Sequence, residues 1–151
     1  MMTDTEIRVV LNGKRILFVD DTPRTLAPIP GDLAKKYGVS CDIVKELATA
    51  RQRMENRDPP AHAVVLDLNM NATAADRKGF NTGLKVTHMN DGQLLGVWLA
   101  EKKIPYLYLT AVQEAFDYQL PGQENPVILS KFTVSLGQLA GELAKLLIPG
   151  L

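Results

Sequence analysis

The stretch Ala63-Val64-Val65-Leu66-Asp67-Leu68-Asn69-Met70 decides the fold: a short apolar run, preceded by Pro59-Pro60 and followed by a polar segment, stops abruptly at a carboxylate. It is too short for a helix. A continuous apolar run of this length suits a strand buried on both faces of a parallel sheet. Asp67 then emerges at the strand's carboxyl edge, which is where open α/β sheets bind ligands. Three more runs end in the same manner: Arg15-Ile16-Leu17-Phe18-Val19 stops at Asp20-Asp21, Tyr106-Leu107-Tyr108-Leu109 at Thr110, and Val127-Ile128-Leu129-Ser130 at Lys131. If the strands are parallel, three carboxylates, a hydroxyl and an ammonium share one sheet edge.

Outward from these runs, the pattern alternates strand and helix. Val39 to Val44 reads as the second strand, and Glu46 to Asn56 as a helix with Leu47, Ala50 and Met54 on its buried face. Asp91-Gly92 opens a helix whose Leu94, Leu95, Trp98 and Leu99 face the sheet, and on such a stripe Trp98 is expected in the core. Ala111 to Tyr118 reads as a short helix, and Thr133 to Leu147 as the last, with Leu136, Leu139, Leu143, Leu146 and Leu147 as its stripe. After the first strand, three prolines and a glycine between Thr22 and Gly31 forbid a regular helix, so the first one is expected at about Asp32 to Tyr37, ended by Gly38. Residues 1 to 13 read as an extension that folds onto the sheet's amino end or a partner. The Asn12-Gly13 pair makes a hairpin the alternative there. Five strands alternating with helical segments predict an α/β sandwich of helices about a parallel sheet.

Composition narrows the function classes. The 151 residues are 46% apolar, enough for one domain with a sizeable core. Seventeen basic residues balance seventeen acidic ones, so bulk charge favours neither nucleic acid nor an anionic membrane as partner. No apolar stretch approaches the ~20 residues of a membrane span. The amino terminus lacks a basic segment followed by an apolar one. Cys41, the single cysteine, excludes an internal disulfide and reads as a small packed strand residue. A cytoplasmic protein is expected. From Asn71 to Asn90 the chain turns polar and glycine-punctuated. Arg77, Lys78, Lys85 and His88 lie there, with Phe80, Leu84 and Val86 as anchors, and a long loop starting at the rim of a site reads either as a solvated insertion with incidental charge or as a lid or docking segment. His88 has no cysteine or second histidine at ligand spacing, so it does not read as a metal ligand.

Taken together, the acidic pair after the first strand, Asp67-Leu68-Asn69-Met70 after the third, Thr110-Ala111 after the fourth and Lys131 after the fifth resemble the response-regulator receiver family, the CheY-like domains. The match spans about residues 14 to 148, which makes residues 1–13 an extension and 14–151 a receiver domain with an insertion at about 71–90. The resemblance implies a flavodoxin-like three-layer fold with strand order 2-1-3-4-5. It also implies that Asp67 accepts a phosphoryl group from a histidine kinase or histidine phosphotransfer protein. Mg²⁺ would be held by Asp20, Asp21, Asp67 and the Asn69 main-chain carbonyl, while Thr110 and Lys131 would bind the phosphoryl oxygens. The output would be binding to another protein, because residues past 148 leave no room for an output domain. Such a domain is not a classical enzyme, although it assists its own phosphorylation and dephosphorylation. The residue types suit that chemistry. Phosphoryl transfer needs charge neutralised and an in-line nucleophile positioned, and clustered carboxylates with an ammonium and a hydroxyl supply both.

Several positions depart from the family pattern. The interval from Asp67 to Thr110 is longer than usual, which the 71–90 segment explains. Phe132 stands after the lysine where the family has proline, so a turn rebuilt with a trans peptide and a redirected Lys131 is expected. Ile128 stands where many members carry a switching aromatic. Two other functions compete: a receiver-like interaction module independent of phosphorylation, and a Mg²⁺-dependent phosphohydrolase with an Asp nucleophile. Against the latter, Asn69 occupies the place of the second acid of its Asp-x-Asp pair.

Overall fold

The computed structural model describes residues 2–56, 61–68, 70, 91–111 and 126–148. Its elements are α1 (Asp4–Leu11), β1 (Arg15–Val19), a 3₁₀ turn (Pro23–Thr25), α2 (Ile29–Tyr37), β2 (Ser40–Val44), α3 (Leu47–Asn56), β3 (Ala63–Leu66), α4 (Asp91–Glu101), β4 (Tyr106–Thr110), β5 (Ile128–Ser130) and α5 (Leu136–Leu147). The five strands form one sheet in the order β2-β1-β3-β4-β5, with every neighbouring pair parallel. The fold is therefore the predicted α/β sandwich. The expected helix at Ala111 to Tyr118 and the 71–90 segment, His88 included, lie outside the described residues apart from Ala111.

The apolar runs dictate the layers because successive strand residues point to opposite faces. Leu17, Val19, Val64, Leu66 and Tyr108 enter one core with Leu47, Ala50 and Met54 of α3 and Leu94, Leu95, Trp98 and Leu99 of α4. Ile16, Phe18, Val65, Leu107 and Leu109 enter the other with residues of α1, α2 and α5. Trp98 is core, as its stripe predicts, although the Arg51 guanidinium lies over its ring at 5.5 Å.

The register sets up the site. Val19 pairs with both Val44 and Leu66, and Thr110 with Ser130. The ladder then runs one step beyond each strand: Asp20 N–H donates to the Val44 carbonyl (3.0 Å), Asp67 N–H to Val19 (2.9 Å) and Lys131 N–H to Thr110 (3.0 Å). The residues that end the apolar runs are thus held by main-chain bonds at one edge.

At the amino terminus no hairpin forms. Residues 4–11 are a helix with a capping box, Thr3 Oγ1 accepting from Glu6 N–H and Glu6 Oε1 accepting from Thr3 N–H. Ile7 and Leu11 are buried against α5 and α2. Asn12-Gly13 is a turn into β1, with Gly13 at φ 79° and its N–H bonded to the Gly38 carbonyl. Polar contacts fasten α1 to the end of α2: Tyr37 Oη donates to Asp4 (3.1 Å), and Arg8 Nε donates to the Lys36 carbonyl (2.9 Å). Helix α2 starts at Ile29, ahead of the expected Asp32, because Pro30 lies in its first turn, where a missing N–H costs nothing. It ends, as expected, at Gly38 in the left-handed conformation.

Candidate functional site

Asp67, at the end of β3, is bonded on both carboxylate oxygens. Thr110 Oγ1 donates to Oδ1 at 3.0 Å, and the Lys131 ammonium reaches Oδ2 at 3.2 Å. Lys131 also meets Asp20 Oδ2 at 2.5 Å and donates to Thr25 Oγ1 at 2.9 Å. Its side chain is only 5% exposed, and those of Asp20 and Asp67 are 2% and 9% exposed. Asp21 completes the acidic group and is half-buried. All five side chains expected at the sheet edge, those of Asp20, Asp21, Asp67, Thr110 and Lys131, are therefore brought together. Asn69, whose carbonyl was expected beside them, lies outside the described residues.

Burial on this scale makes charge expensive. Desolvation pushes the Asp20 carboxyl above its ordinary range; the Lys131 ammonium and the Thr22 N–H pull it down, and the Asp67 charge adds to the rise. Among the described residues Asp20 Oδ2 accepts no hydrogen bond and has only the ion pair with Lys131. Asp20, Asp21 and Asp67 can each offer an oxygen within 4.8 Å of the others. An all-oxygen group with a buried, under-bonded carboxylate oxygen fits a hard divalent cation such as Mg²⁺.

Three positions matter that sequence reading did not single out. Thr22 orients the acidic pair, its N–H donating to Asp20 Oδ1 (2.8 Å) and its hydroxyl to Asp21 Oδ1 (3.1 Å). Thr25 contacts Lys131 from a turn 106 positions away, and no local pattern announces that contact. Gly92 lies in the first turn of α4, where a Cβ would overlap the Asp67 carbonyl oxygen, so glycine lets the helix start directly beneath the Asp67 main chain. The signal for Gly92 was its place right after an N-terminal Asp.

The turn after β5 is made without a proline after Lys131. The Lys131-Phe132 peptide is trans, as expected, yet the ammonium is not redirected away from Asp67. Ser130 holds the turn: its Oγ accepts from Phe132 N–H (3.2 Å) and its carbonyl from Val134 N–H (2.9 Å). Phe132 itself projects into solvent, 81% exposed. Ile128 packs partly buried against the α3/α4 core.

No family model matches this sequence. No curated protein matches it either. Solved structures do. A sensor protein from Polaromonas sp. JS666 is 21% identical with TM-score 0.65, the match covering 89% of this chain and 95% of that one. A response regulator from Desulfuromonas acetoxidans is 16% identical with TM-score 0.61, over 89% and 96% of the two chains. The N-terminal domain of a response regulator/sensory box/GGDEF three-domain protein from Carboxydothermus hydrogenoformans gives 16% and 0.61 over 89% and 94%. The fold is that of a response-regulator receiver domain. At such identities the likeness is one of fold, and the roles of residues in this receiver fold rest on the geometry above. No helix among the described residues is long and apolar enough to cross a membrane.

Proposed function

We propose that the protein is a phosphoacceptor of a two-component phosphorelay, taking a phosphoryl group on Asp67 and signalling through contact with another protein. One arrangement carries the reading: a buried carboxylate at a strand end with a hydroxyl on one oxygen, an ammonium on the other and two further carboxylates beside it. A charge pattern that costs stability and leaves Asp20 Oδ2 under-bonded is poor scaffolding, and it suits a site that receives charge. Asp67 attacks phosphorus through a carboxylate oxygen, the bond from phosphorus to the donor nitrogen breaks, and the imidazole of a histidine kinase or phosphotransfer protein leaves with the electron pair. Lys131 and Thr110, already on the Asp67 oxygens, then offer a cation and a hydroxyl donor to the new phosphoryl oxygens. Asp20, Asp21 and Asp67, with the Asn69 carbonyl that the family resemblance adds to them, would hold Mg²⁺, which would supply neutralising charge to the transferring group. Residues 14–151 act as the receiver, residues 71–90 as its insertion, and the setting is the cytoplasm.

Incubation with phosphoramidate and Mg²⁺ followed by intact-mass measurement tests this. The wild type should gain one phosphoryl group and Asp67→Asn none. An unlabelled wild type would favour an interaction module independent of phosphorylation, and release of many equivalents of phosphate would favour a hydrolase.

A further inference from the structure

We infer that Thr25 is the positioning residue for Lys131, taking the part that a conformationally fixed turn after the lysine would otherwise play; this deepens the phosphoacceptor reading and rests on it. The Lys131 backbone is pinned through its N–H to Thr110, but four rotatable bonds separate that anchor from the ammonium, and the next residue, Phe132, adds no restraint from its exposed position. The ammonium faces three oxygens: Asp20 Oδ2 as an ion pair, and Asp67 Oδ2 and Thr25 Oγ1 as hydrogen-bond acceptors. Two of these belong to carboxylates that would also hold a metal ion and, at Asp67, take the phosphoryl group. The third is neutral and keeps its place whatever happens to them.

The surroundings of Thr25 fix the direction of that bond. Its hydroxyl proton is donated to the Thr22 carbonyl at 2.8 Å, so towards Lys131 the oxygen can only accept. Thr25 N–H bonds to the same carbonyl at 2.9 Å, and Leu26 N–H to the Pro23 carbonyl at 2.9 Å, which closes the 3₁₀ turn. Pro23 sets one backbone angle of that turn, and the buried Leu26 anchors its end. Thr22, at the other end of the turn, orients Asp20 and Asp21. One short proline-led turn therefore holds the acidic pair with one threonine and the lysine with the next.

The test compares Thr25→Val, close to isosteric, with Thr25→Ser, which keeps the hydroxyl, and Thr25→Ala. Thr25 is on the exposed side of its turn, so the variants should fold with wild-type melting curves. In protein without phosphodonor, the Lys131 ammonium should show slowed proton exchange by ¹⁵N NMR in the wild type and Thr25→Ser, and fast exchange in Thr25→Val and Thr25→Ala. With phosphoramidate and Mg²⁺, Thr25→Val should accept phosphoryl groups about tenfold more slowly, the size expected for one lost hydrogen bond from a cationic donor, and Thr25→Ser should restore the rate. In a Lys131→Ala background Thr25→Val should slow nothing further. Wild-type ammonium exchange in Thr25→Val, or an equal slowing without Lys131, overturns the assignment. If the wild type takes no phosphoryl group, the phosphoacceptor reading fails and the ammonium exchange alone decides for or against Thr25.

Discussion

The two ends of the central strands are built on opposite plans. At the carboxyl end, Asp20, Asp67 and Lys131 are buried groups paired by charge with one another. At the amino end, Arg15 N–H donates to His62 Nδ1 (2.9 Å) and His62 N–H to the Arg15 carbonyl (2.7 Å), a reciprocal neutral pair at the surface. Nearby, α1 is capped by its own side chains and seated by Ile7 and Leu11. The contrast shows where the molecule spends stability: charge is desolvated at the carboxyl end, while the other end relies on packing and locally satisfied polar groups.

The largest effect should come from removing the cation. Lys131→Ala leaves Asp20 and Asp67 facing each other without their shared counter-ion, and breaking a buried pair from one side costs about 3–5 kcal/mol. Urea unfolding at pH 7 should show a loss of that order. An unchanged midpoint would mean that water already solvates the pair. At the opposite end, Leu11→Ala should cost about 2–4 kcal/mol through a cavity between α1, α2 and α5, yet leave Mg²⁺ binding and the rate of phosphoryl acceptance near wild type. If Leu11→Ala slowed acceptance as much as Lys131→Ala, the two ends would be energetically one unit and the contrast would fail.

A smaller effect of opposite sign is expected at Asp20. Its carboxyl is pushed above the ordinary 3.8, chiefly by burial, so ionised Asp20 costs stability at neutral pH, and that cost disappears as pH falls through the raised value towards 3.8. Asp20→Asn should therefore raise the melting temperature by about 2–4 °C in metal-free buffer, corresponding to about 1 kcal/mol in a chain of this size, while weakening Mg²⁺ binding. A lower melting temperature would mean that the Lys131 contact outweighs desolvation.

The carboxyl end was the more legible in the sequence, and the reason is physical. Each apolar run had to stop where the strand left the sheet, so Asp20, Asp67, Thr110 and Lys131 marked their own positions, and parallel register carried them to one edge. Thr22 and Thr25 were hidden because their partners are chosen by tertiary folding, and the prolines around them read only as obstacles to a helix. At the amino end, residues 1–13 read as an extension with a hairpin at Asn12-Gly13 as the alternative, and the quieter Thr3-Asp4-Thr5-Glu6 capping pattern of a helix went unread. The alternative hairpin has no sheet edge to join, because β1 is flanked by β2 and β3. The seat of α1 on α2 and α5 depends on contacts remote in sequence, such as Tyr37 with Asp4.

The least of the expected effects concerns His62 and tests the amino end in its own terms. Its ring nitrogen Nδ1 accepts from Arg15 N–H, which it can do only while unprotonated. Partial burial, followed by the charges of Lys14 and Arg15, lowers its pKa from the ordinary 6.5. The unfolded chain therefore takes up a proton at higher pH than the folded one, so the contribution of His62 is fully present above 6.5 and is lost as pH falls through the lowered value. This runs against the Asp20 trend, which gains stability in acid, and the wild-type profile sums the two. Comparing denaturant midpoints of the wild type and His62→Gln between pH 7.5 and 5 separates them: the wild type should lose more stability than the variant over that interval, and by a small margin because the ring is exposed. Parallel profiles for the two proteins would show that Arg15 N–H finds water as good a partner as the imidazole, and that the amino end is held by α1 and the strand ladder alone.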